Sequence, residues 1–523
     1  MALRGPQMLL LTGCVLCFNG LTTAEATGHP SYVAAVYEHR VLLNPRPWVP
    51  LNRSSALEHM EQNLRVFEDQ SARAAQQGAQ IIVFPEDAIH GFNFTRTSIS
   101  GYLQDVPDPQ KVTWSPCADP QRFPNTEVLQ RLSCMARKNH IFVVANMASR
   151  HICKQTADPN CPVDGQYQFN TNVIFDDKGF IVGQYHKQNL YFEAAFNTPP
   201  KMEYVTFSTP FAGRFGVFTC FDILFQDPAV TLVKDLGVRQ VVYPTAWMNQ
   251  LPLLAAVQFQ RSFAYAIGIT LLAANIRSVE MSITGSGIFT PWDSLIHHDP
   301  KGNSGKLLVR RVPVLDPLFI DNKEGETFKL VPFLGFPKRE SEISWGLSSL
   351  STNFNADCPP VSFTSIMMYD NFTLIPLHGS EGNVSVCSGS LCCHLLFQRN
   401  ERHEFYALGV FDGLHVVHGT YYLEVCALVK CTGDEHTLSG CGGETEHAQT
   451  LMDFRMHGTF RTRHVFPGIL GSGVVLEIPD HSGWEEAGFY MSRRGMSVGL
   501  VTAVLMERIK KILPQMSKGN KAF

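Results

Sequence analysis

Several short stretches of this chain are apolar along their whole length: Ile81-Ile-Val-Phe84, Ile141-Phe-Val-Val-Ala145, Val241-Val-Tyr243 and Ile269–Ala274. A strand with one wet face alternates polar and apolar residues, so runs of this kind must be covered on both faces. Helical spacing separates them. After an opening strand, Tyr32–Tyr37, the residues Leu57, Met60, Leu64 and Phe67 mark one face of a helix, with Ser55 and Glu58 as its capping box and Gly78 as its stop. Val128–Lys138, Pro228–Leu236 and Leu251–Tyr265 are the further helices. Thr171–Phe175 and Phe180–Tyr185 flank Asp176-Asp-Lys-Gly179 as a hairpin, and Leu307–Val312 is expected to close the unit. Such alternation defines an α/β layered domain.

That domain does not use the whole chain. With 523 residues, two cores are expected. From 322 to 360 the pattern dissolves into Pro, Ser, Gly and Asn, which reads as a linker between a first domain at 27–321 and a second at 361–523. The second has a different texture, with strands expected at Phe372–Leu377, Leu391–Phe397, Phe405–Val410, Tyr421–Val429, Thr459–Phe466, Val474–Ile478 and Val501–Met506. It is read as mostly β. A formal net charge of −4 without a long basic run argues against nucleic acid as the main partner.

Residues 1–26 have the form of a secretory signal peptide: Arg4, then the apolar run Met8–Phe18, then Ala24-Glu-Ala26 as a cleavage site. Export agrees with sequons at Asn52, Asn93, Asn371 and Asn383. The C-terminal tail keeps lysines almost to its end and lacks the apolar tail of a glycolipid-anchor signal, so no membrane anchor is expected. In an oxidising compartment most cysteines should pair. Cys117 with Cys134 and Cys153 with Cys161 are plausible local bridges; Cys387, Cys392, Cys393, Cys426, Cys431 and Cys441 form a distal cluster whose connectivity stays open. A metal site there is disfavoured, because adjacent Cys392-Cys393 is not a ligand knuckle. Of the 14 cysteines, Cys14 and Cys17 belong to the leader. If Cys220 is a free thiol, an odd number remains, and Cys358, alone in the linker, is the expected second free one.

Cys220 stands where the strand Phe215–Thr219 ends, before Asp222 and the helix opening at Asp227-Pro228. A nucleophile in such a bend projects from the sheet edge. Two other strands end in complementary groups, Ile81–Phe84 before Glu86 and Phe180–Tyr185 before Lys187. A thiol can form a thioester with an acyl group, a carboxylate can move protons, and an ammonium can stabilise thiolate and oxyanion. Taken singly, each has a bland alternative: a disulfide half, a helix cap, a solvated lysine. Together at three strand ends they read as one amide-hydrolysing site.

The motifs Phe-Pro-Glu86, Tyr-His-Lys187-Gln-Asn-Leu and Thr-Cys220-Phe-Asp-Ile-Leu-Phe resemble the nitrilase superfamily, whose members use a Glu-Lys-Cys triad on an α-β-β-α sandwich. Over nearly its whole length the chain is similar to the secreted biotinidase and pantetheinase (vanin) branch, through Val-Tyr-Pro-Thr-Ala-Trp-Met-Asn249-Gln-Leu-Pro, Thr-Gly-Ser-Gly287 and Ala-Leu-Gly-Val-Phe-Asp-Gly413-Leu-His. The resemblance implies Glu86 as proton acceptor, Lys187 as oxyanion and thiolate stabiliser, Cys220 as nucleophile and Glu193 as a possible second glutamate, with no cofactor and no metal. It implies a monomer acting on small-molecule amides. Phe-Pro-Glu-Asp-Ala-Ile-His-Gly-Phe-Asn-Phe94-Thr-Arg-Thr-Ser and Asn-Leu-Tyr-Phe-Glu193-Ala-Ala-Phe lean towards biotin amides and biotinyl peptides, with pantetheine as the alternative. A catalytically silent adhesion or carrier protein is the third reading, which the intact triad disfavours.

Overall fold

The computed structural model describes residues 30–316 and 362–507, apart from 401–403, 418–419, 434–437, 439, 444 and 463. The expected leader at 1–26, the whole of the expected linker at 322–360 with Cys358, and the C-terminal tail lie outside the described residues.

The first part contains β1 (Ser31–Arg40), α1 (Arg53–Gln76), β2 (Ile81–Val83), β3 (Gln104–Asp105), α2 (Glu127–Asn139), β4 (Phe142–Ile152), β5 (Gln166–Phe175), β6 (Ile181–His186), β7 (Val205–Thr209) and β8 (Gly213–Val217). It continues with α3 (Thr231–Lys234), β9 (Gln240–Thr245), α4 (Ala256–Ile267), β10 (Thr270–Arg277), β11 (Ser286–Phe289), β12 (Ser294–His297) and β13 (Lys306–Pro313). Its strands run β6-β5-β4-β2-β1-β10-β9-β8-β7. The joint is short, since β1 meets β10 only at His39–Ile276 and Arg40–Arg277. There the ladder doubles back, so that β4 approaches β9 and β6 approaches β7. Alternation along β1 shows the layering. Tyr32, Ala34 and Val36 face the interior between the sheets with Val217 and Val242, whereas Val33, Ala35 and Tyr37 pack with Leu64 and Phe67 of α1 and Leu132 of α2. The architecture is therefore the α-β-β-α sandwich of the nitrilase superfamily, followed by a mostly β part.

Three helices differ from expectation. Of Pro228–Leu236 only Thr231–Lys234 is α-helical, after a wider helical turn at Gln226–Val230. At α1 the cap is Asn52, whose side chain accepts from the Ser55 N–H at 2.9 Å. Ser55 is already in the first turn; Asn is as good a cap as Ser, and it stands three residues earlier. The helix expected from Leu251 begins only at Ala256, where Asn249 Oδ1 accepts from the Ala256 N–H at 2.8 Å. Leu251–Ala255 form a turn instead, and apolar composition alone cannot separate a buried turn from a buried helix.

The second part holds β14 (Phe363–Met367), β15 (Asp370–Pro376), β16 (Glu381–Ser388), β17 (Leu391–Arg399), β18 (Tyr406–His415), β19 (Tyr421–Lys430), β20 (Met452–Gly458), β21 (Val465–Gly471), β22 (Val475–Glu477), β23 (His481–Glu485), β24 (Gly488–Arg493) and β25 (Leu500–Glu507). The strand expected at Thr459–Phe466 is instead largely loop: Arg461 is drawn out to Glu424 and Asp412, and pairing resumes at Val465. All six distal cysteines are paired, as Cys387–Cys392, Cys393–Cys426 and Cys431–Cys441, and the two local bridges form. Helix α4, buried nearly all round, lies between β10 and β11 on one side and β21 on the other. Phe263 stacks on Phe466 at 5.7 Å, and Ser262 Oγ donates to Pro467 O at 2.7 Å. The helix buries Gln258, Gln260, Arg261 and Ser262 along with its apolar residues, and the second part supplies both cover and, at Pro467, a hydrogen-bond acceptor.

Candidate active site

Each singled-out residue follows a strand that ends for a local reason. Phe84 still donates its N–H to Val144 O at 2.9 Å, but Pro85 has no N–H to continue, and Glu86 turns inward, 1 % exposed. Lys187 directly follows β6, donates its N–H to Asn170 O at 2.9 Å, and is 2 % exposed. Cys220, 7 % exposed, has φ 44° and opens the tight turn Cys220–Leu224 beyond β8. Positive φ is costly for a residue with a Cβ and is kept only where surroundings enforce it. Here they do: Asp222 Oδ2 accepts from the Thr219 N–H at 3.1 Å, and Tyr243 donates its hydroxyl to Cys220 O at 2.8 Å.

Lys187 Nζ lies 2.6 Å from Glu86 Oε1 and 2.6 Å from Glu193 Oε2. Asn170 Nδ2 donates to Glu86 Oε1 at 2.8 Å and Glu193 Oε1 at 2.6 Å, and the Ala246 N–H donates to Glu86 Oε2 at 3.0 Å. One ammonium and one amide thus hold two carboxylates in register. Burial works against the Lys187 charge, but Glu193, Glu86 and Cys220 outweigh it and hold the ammonium well above the ordinary lysine range. Burial, then Glu86, pushes the Cys220 thiol up, with Lys187 pulling the other way. Burial and the neighbouring carboxylates of Glu86 and Glu193 likewise push Asp87 well up.

Sequence reasoning missed the polar ladder that aims these groups. Asn146 of β4 donates to Asn170 Oδ1 at 2.6 Å and Asn172 Oδ1 at 2.9 Å, and Asn172 donates to Thr219 Oγ1 at 2.8 Å. The signal was there: asparagines inside otherwise apolar strands need buried partners. A second brace joins the loop after Lys187 to the cysteine turn. Asp222 Oδ2 accepts from Tyr185 Oη at 2.6 Å, while Oδ1 accepts from the Asn189 N–H at 2.8 Å and Asn189 Nδ2 at 2.9 Å. Burial pushes the Asp222 carboxyl up to about 6, against the pull of these donors. Asp222→Asn would aim an amide N–H at other donors and shift the turn. We expect kcat to fall by about 10²-fold with KM little changed, the size of loss that small misplacement of reacting groups produces. Steady-state kinetics that leave kcat intact would remove Asp222 from this role.

Two cavities flank the centre and share the wall of Tyr191, Ala246 and Met248. The first, about 570 Å³, opens on Cys220 and is lined by Phe221, Trp247 and Leu254 and, from the second part, by Met368, Tyr369 and Tyr421. The second, about 710 Å³, opens on Glu193 and Asp87 and is lined by Phe94, Phe192 and Phe196. Trp247 and Met248, which sequence alone allows as plain packing, are cavity walls.

Fold and constellation together define a hydrolase of carbon–nitrogen amide bonds. The carbon-nitrogen hydrolase family matches residues 49–302, and the vanin C-terminal domain matches residues 361–511. Biotinidase of Mus musculus is 51% identical over 517 residues, covering 97% of this chain and 98% of that protein. Biotinidase of Homo sapiens is 49% identical over 520 residues, covering 97% and 95%. Pantetheinase of Mus musculus is 45% identical over 469 residues, covering 88% and 86%. The chain belongs to the biotinidase–pantetheinase family of carbon–nitrogen hydrolases.

Proposed function

We propose that the protein is a secreted thiol amidohydrolase that releases biotin from biocytin and biotinyl peptides. The observation that carries this reading is the pair of cavities: an aromatic, largely apolar room beside the nucleophile, and a separate carboxylate-bearing room beyond it. A bulky acyl group with an apolar chain suits the first, and a departing amine that hydrogen-bonds to carboxyl oxygens suits the second. The relatives support the same choice, since the biotinidases of Mus musculus and Homo sapiens are 51% and 49% identical and the pantetheinase of Mus musculus 45%.

In the proposed reaction Cys220 Sγ attacks the amide carbonyl while Glu86 takes the thiol proton. The Lys187 ammonium offsets the charge on the carbonyl oxygen. Glu86 then returns the proton to the departing amine nitrogen, the C–N bond breaks and a thioester remains on Cys220. Water, deprotonated by Glu86, attacks the thioester; the acid leaves and Sγ recovers the proton. Glu193 holds Lys187 in place, so it is a positioning residue. Cleavage of a leader at 1–26, a division into 27–321 and 361–523 around the 322–360 linker, glycans at Asn52, Asn93, Asn371 and Asn383, and an unanchored monomer complete the proposal. All four of those asparagines are exposed.

Turnover measured in parallel on biocytin and pantetheine tests the reading. Biocytin should have much the higher specificity constant. Replacing the ureido ring by cyclopentane should remove most of it, because a pocket that hydrogen-bonds a polar group rejects analogues lacking it by up to ~10⁴–10⁵. If pantetheine is the better substrate, the chemistry stands and the substrate is the alternative one.

A further inference from the structure

The second part of the chain enters the Cys220 cavity through a two-residue turn. β14 and β15 pair Met367 with Asp370, so Met368 and Tyr369 alone reverse the chain. Both have positive φ, 52° and 70°. That combination belongs to tight hairpins in which Asn-Gly is favoured, because a Cβ is penalised there. A thioether and a phenol occupy the turn instead, and both line the cavity. Backbone strain that the surroundings hold in place points to use.

The surroundings do hold it. Asp370, at the foot of the turn, lies 2.6 Å from His415 Nδ1, and His415 Nε2 faces the carbonyl oxygen of Val417. The His415 ring lies 4.7 Å from that of Tyr421, and Tyr421 packs on Phe225 at 5.4 Å, beside the cysteine turn. From the first part, Gln250 Nε2 reaches the Tyr369 hydroxyl at 3.4 Å. The turn is thus fixed to both parts of the chain while Tyr369 stays 53% exposed at the cavity mouth.

Which half of an amide substrate this wall meets follows from the chemistry of the two cavities. The acyl group stays bonded to Cys220 after the amine has left, so it must occupy the room that opens on Cys220. The amine must leave, and water arrive, on the side of the carboxylates, where Glu193 and Asp87 line the other room. We infer that Met368 and Tyr369 form the acyl-selecting wall of the site, with Asp370 and His415 as the residues that position it. The second part is then a component of the active site and not an appendage. This rests on the reading that Cys220 is acylated by an amide, but not on which acyl group it takes.

The test replaces the turn by its favoured sequence. Met368→Asn with Tyr369→Gly removes both side chains from a backbone that suits Asn-Gly better, so melting temperature should hold or rise. Specificity constants are read for a biotinyl and a hexanoyl amide of one reporter amine, and for two amines on one biotinyl group. We expect the biotinyl-to-hexanoyl ratio to fall at least about tenfold, with the ratio between amines moving less than about threefold, as loss of pocket contacts on one side only would give. Tyr369→Ser, at an exposed position, should move the acyl ratio in the same direction and serves if the double variant folds poorly. An unchanged acyl ratio, or a shift in the amine ratio instead, overturns the inference. If the unaltered protein ignores biotinyl amides but cleaves pantetheine, the substrate reading fails by itself, and the acyl series is run on pantothenyl and hexanoyl amides of one amine.

Discussion

Cys220→Ala is expected to lower turnover by a factor on the order of 10⁴ or more, the scale seen when a catalytic nucleophile is deleted, while the protein remains folded. Only one sulfur atom is lost. Alanine meets the same positive-φ penalty as cysteine at 44°, so the turn gains no new strain. The proton balance gives a sharper test. Burial and Glu86 push the thiol up, so attack depends on Glu86 accepting the proton as the S–C bond forms. Glu86→Gln keeps the shape and loses that capacity. Turnover should fall by orders of magnitude, and alkylation of Cys220 by iodoacetamide should slow as well. A thiolate preformed against Lys187 predicts otherwise: the sulfur is already ionised, so removing the Glu86 charge leaves alkylation nearly unchanged. Alkylation of Glu86→Gln at the parent rate would therefore replace general-base activation by a standing ion pair. Activity of Cys220→Ala within about tenfold of the parent would end the assignment of Cys220 as nucleophile.

The layers of the first part and the strand ends carrying Glu86, Lys187 and Cys220 were legible in the sequence, because both follow from runs of a few residues. Ile81–Val83 can only be buried, and Pro85 must end its pairing, so Glu86 had to lie at the rim of a sheet. Glu193 was legible only through resemblance, since nothing in Tyr-Phe-Glu-Ala tells a glutamate that grips a lysine from one in water. Hidden features depend on partners far apart in the chain. Asn170 meets Glu86 across a separation of 84 residues, and Tyr369 meets Gln250 across 119. The Asn52 cap and the late start of α4 were lost for a smaller reason: several residues could serve as each boundary, and backbone hydrogen bonding chose among them. In the second part, alternating patterns revealed strands but not register, so Thr459–Phe466 was read as a strand although Arg461 leaves the ladder to reach Glu424.

Lys187→Met should be more damaging than its chemical role alone suggests, because it removes the counter-charge of two buried carboxylates. Glu86 and Glu193 each lie 2.6 Å from the ammonium. Deleting one member of a buried ion pair typically costs about 3–5 kcal/mol, since the remaining charge has no solvent and no partner. Loss of oxyanion stabilisation should cost a further factor of ~10²–10³ in kcat. In the parent, the folded pKa of Lys187 is raised, so its contribution to stability is fully present below the ordinary lysine value and is lost only as pH rises through the folded one. Burial already pushes the Glu193 carboxyl up in the parent, and the variant removes the Lys187 charge that pulls it down. The contribution of Glu193 is then fully present below the ordinary carboxylate range and is lost as pH climbs through its raised folded value. Urea unfolding should accordingly show a small gap between variant and parent near pH 4, widening towards pH 7. Adding Glu193→Gln removes one stranded charge and should recover much of the stability at pH 7, while turnover stays as low as in Lys187→Met. Parent-like stability of Lys187→Met at pH 7 would show that the carboxylates carry no uncompensated charge. Recovered turnover in the double variant would show that the ammonium is dispensable to the chemistry.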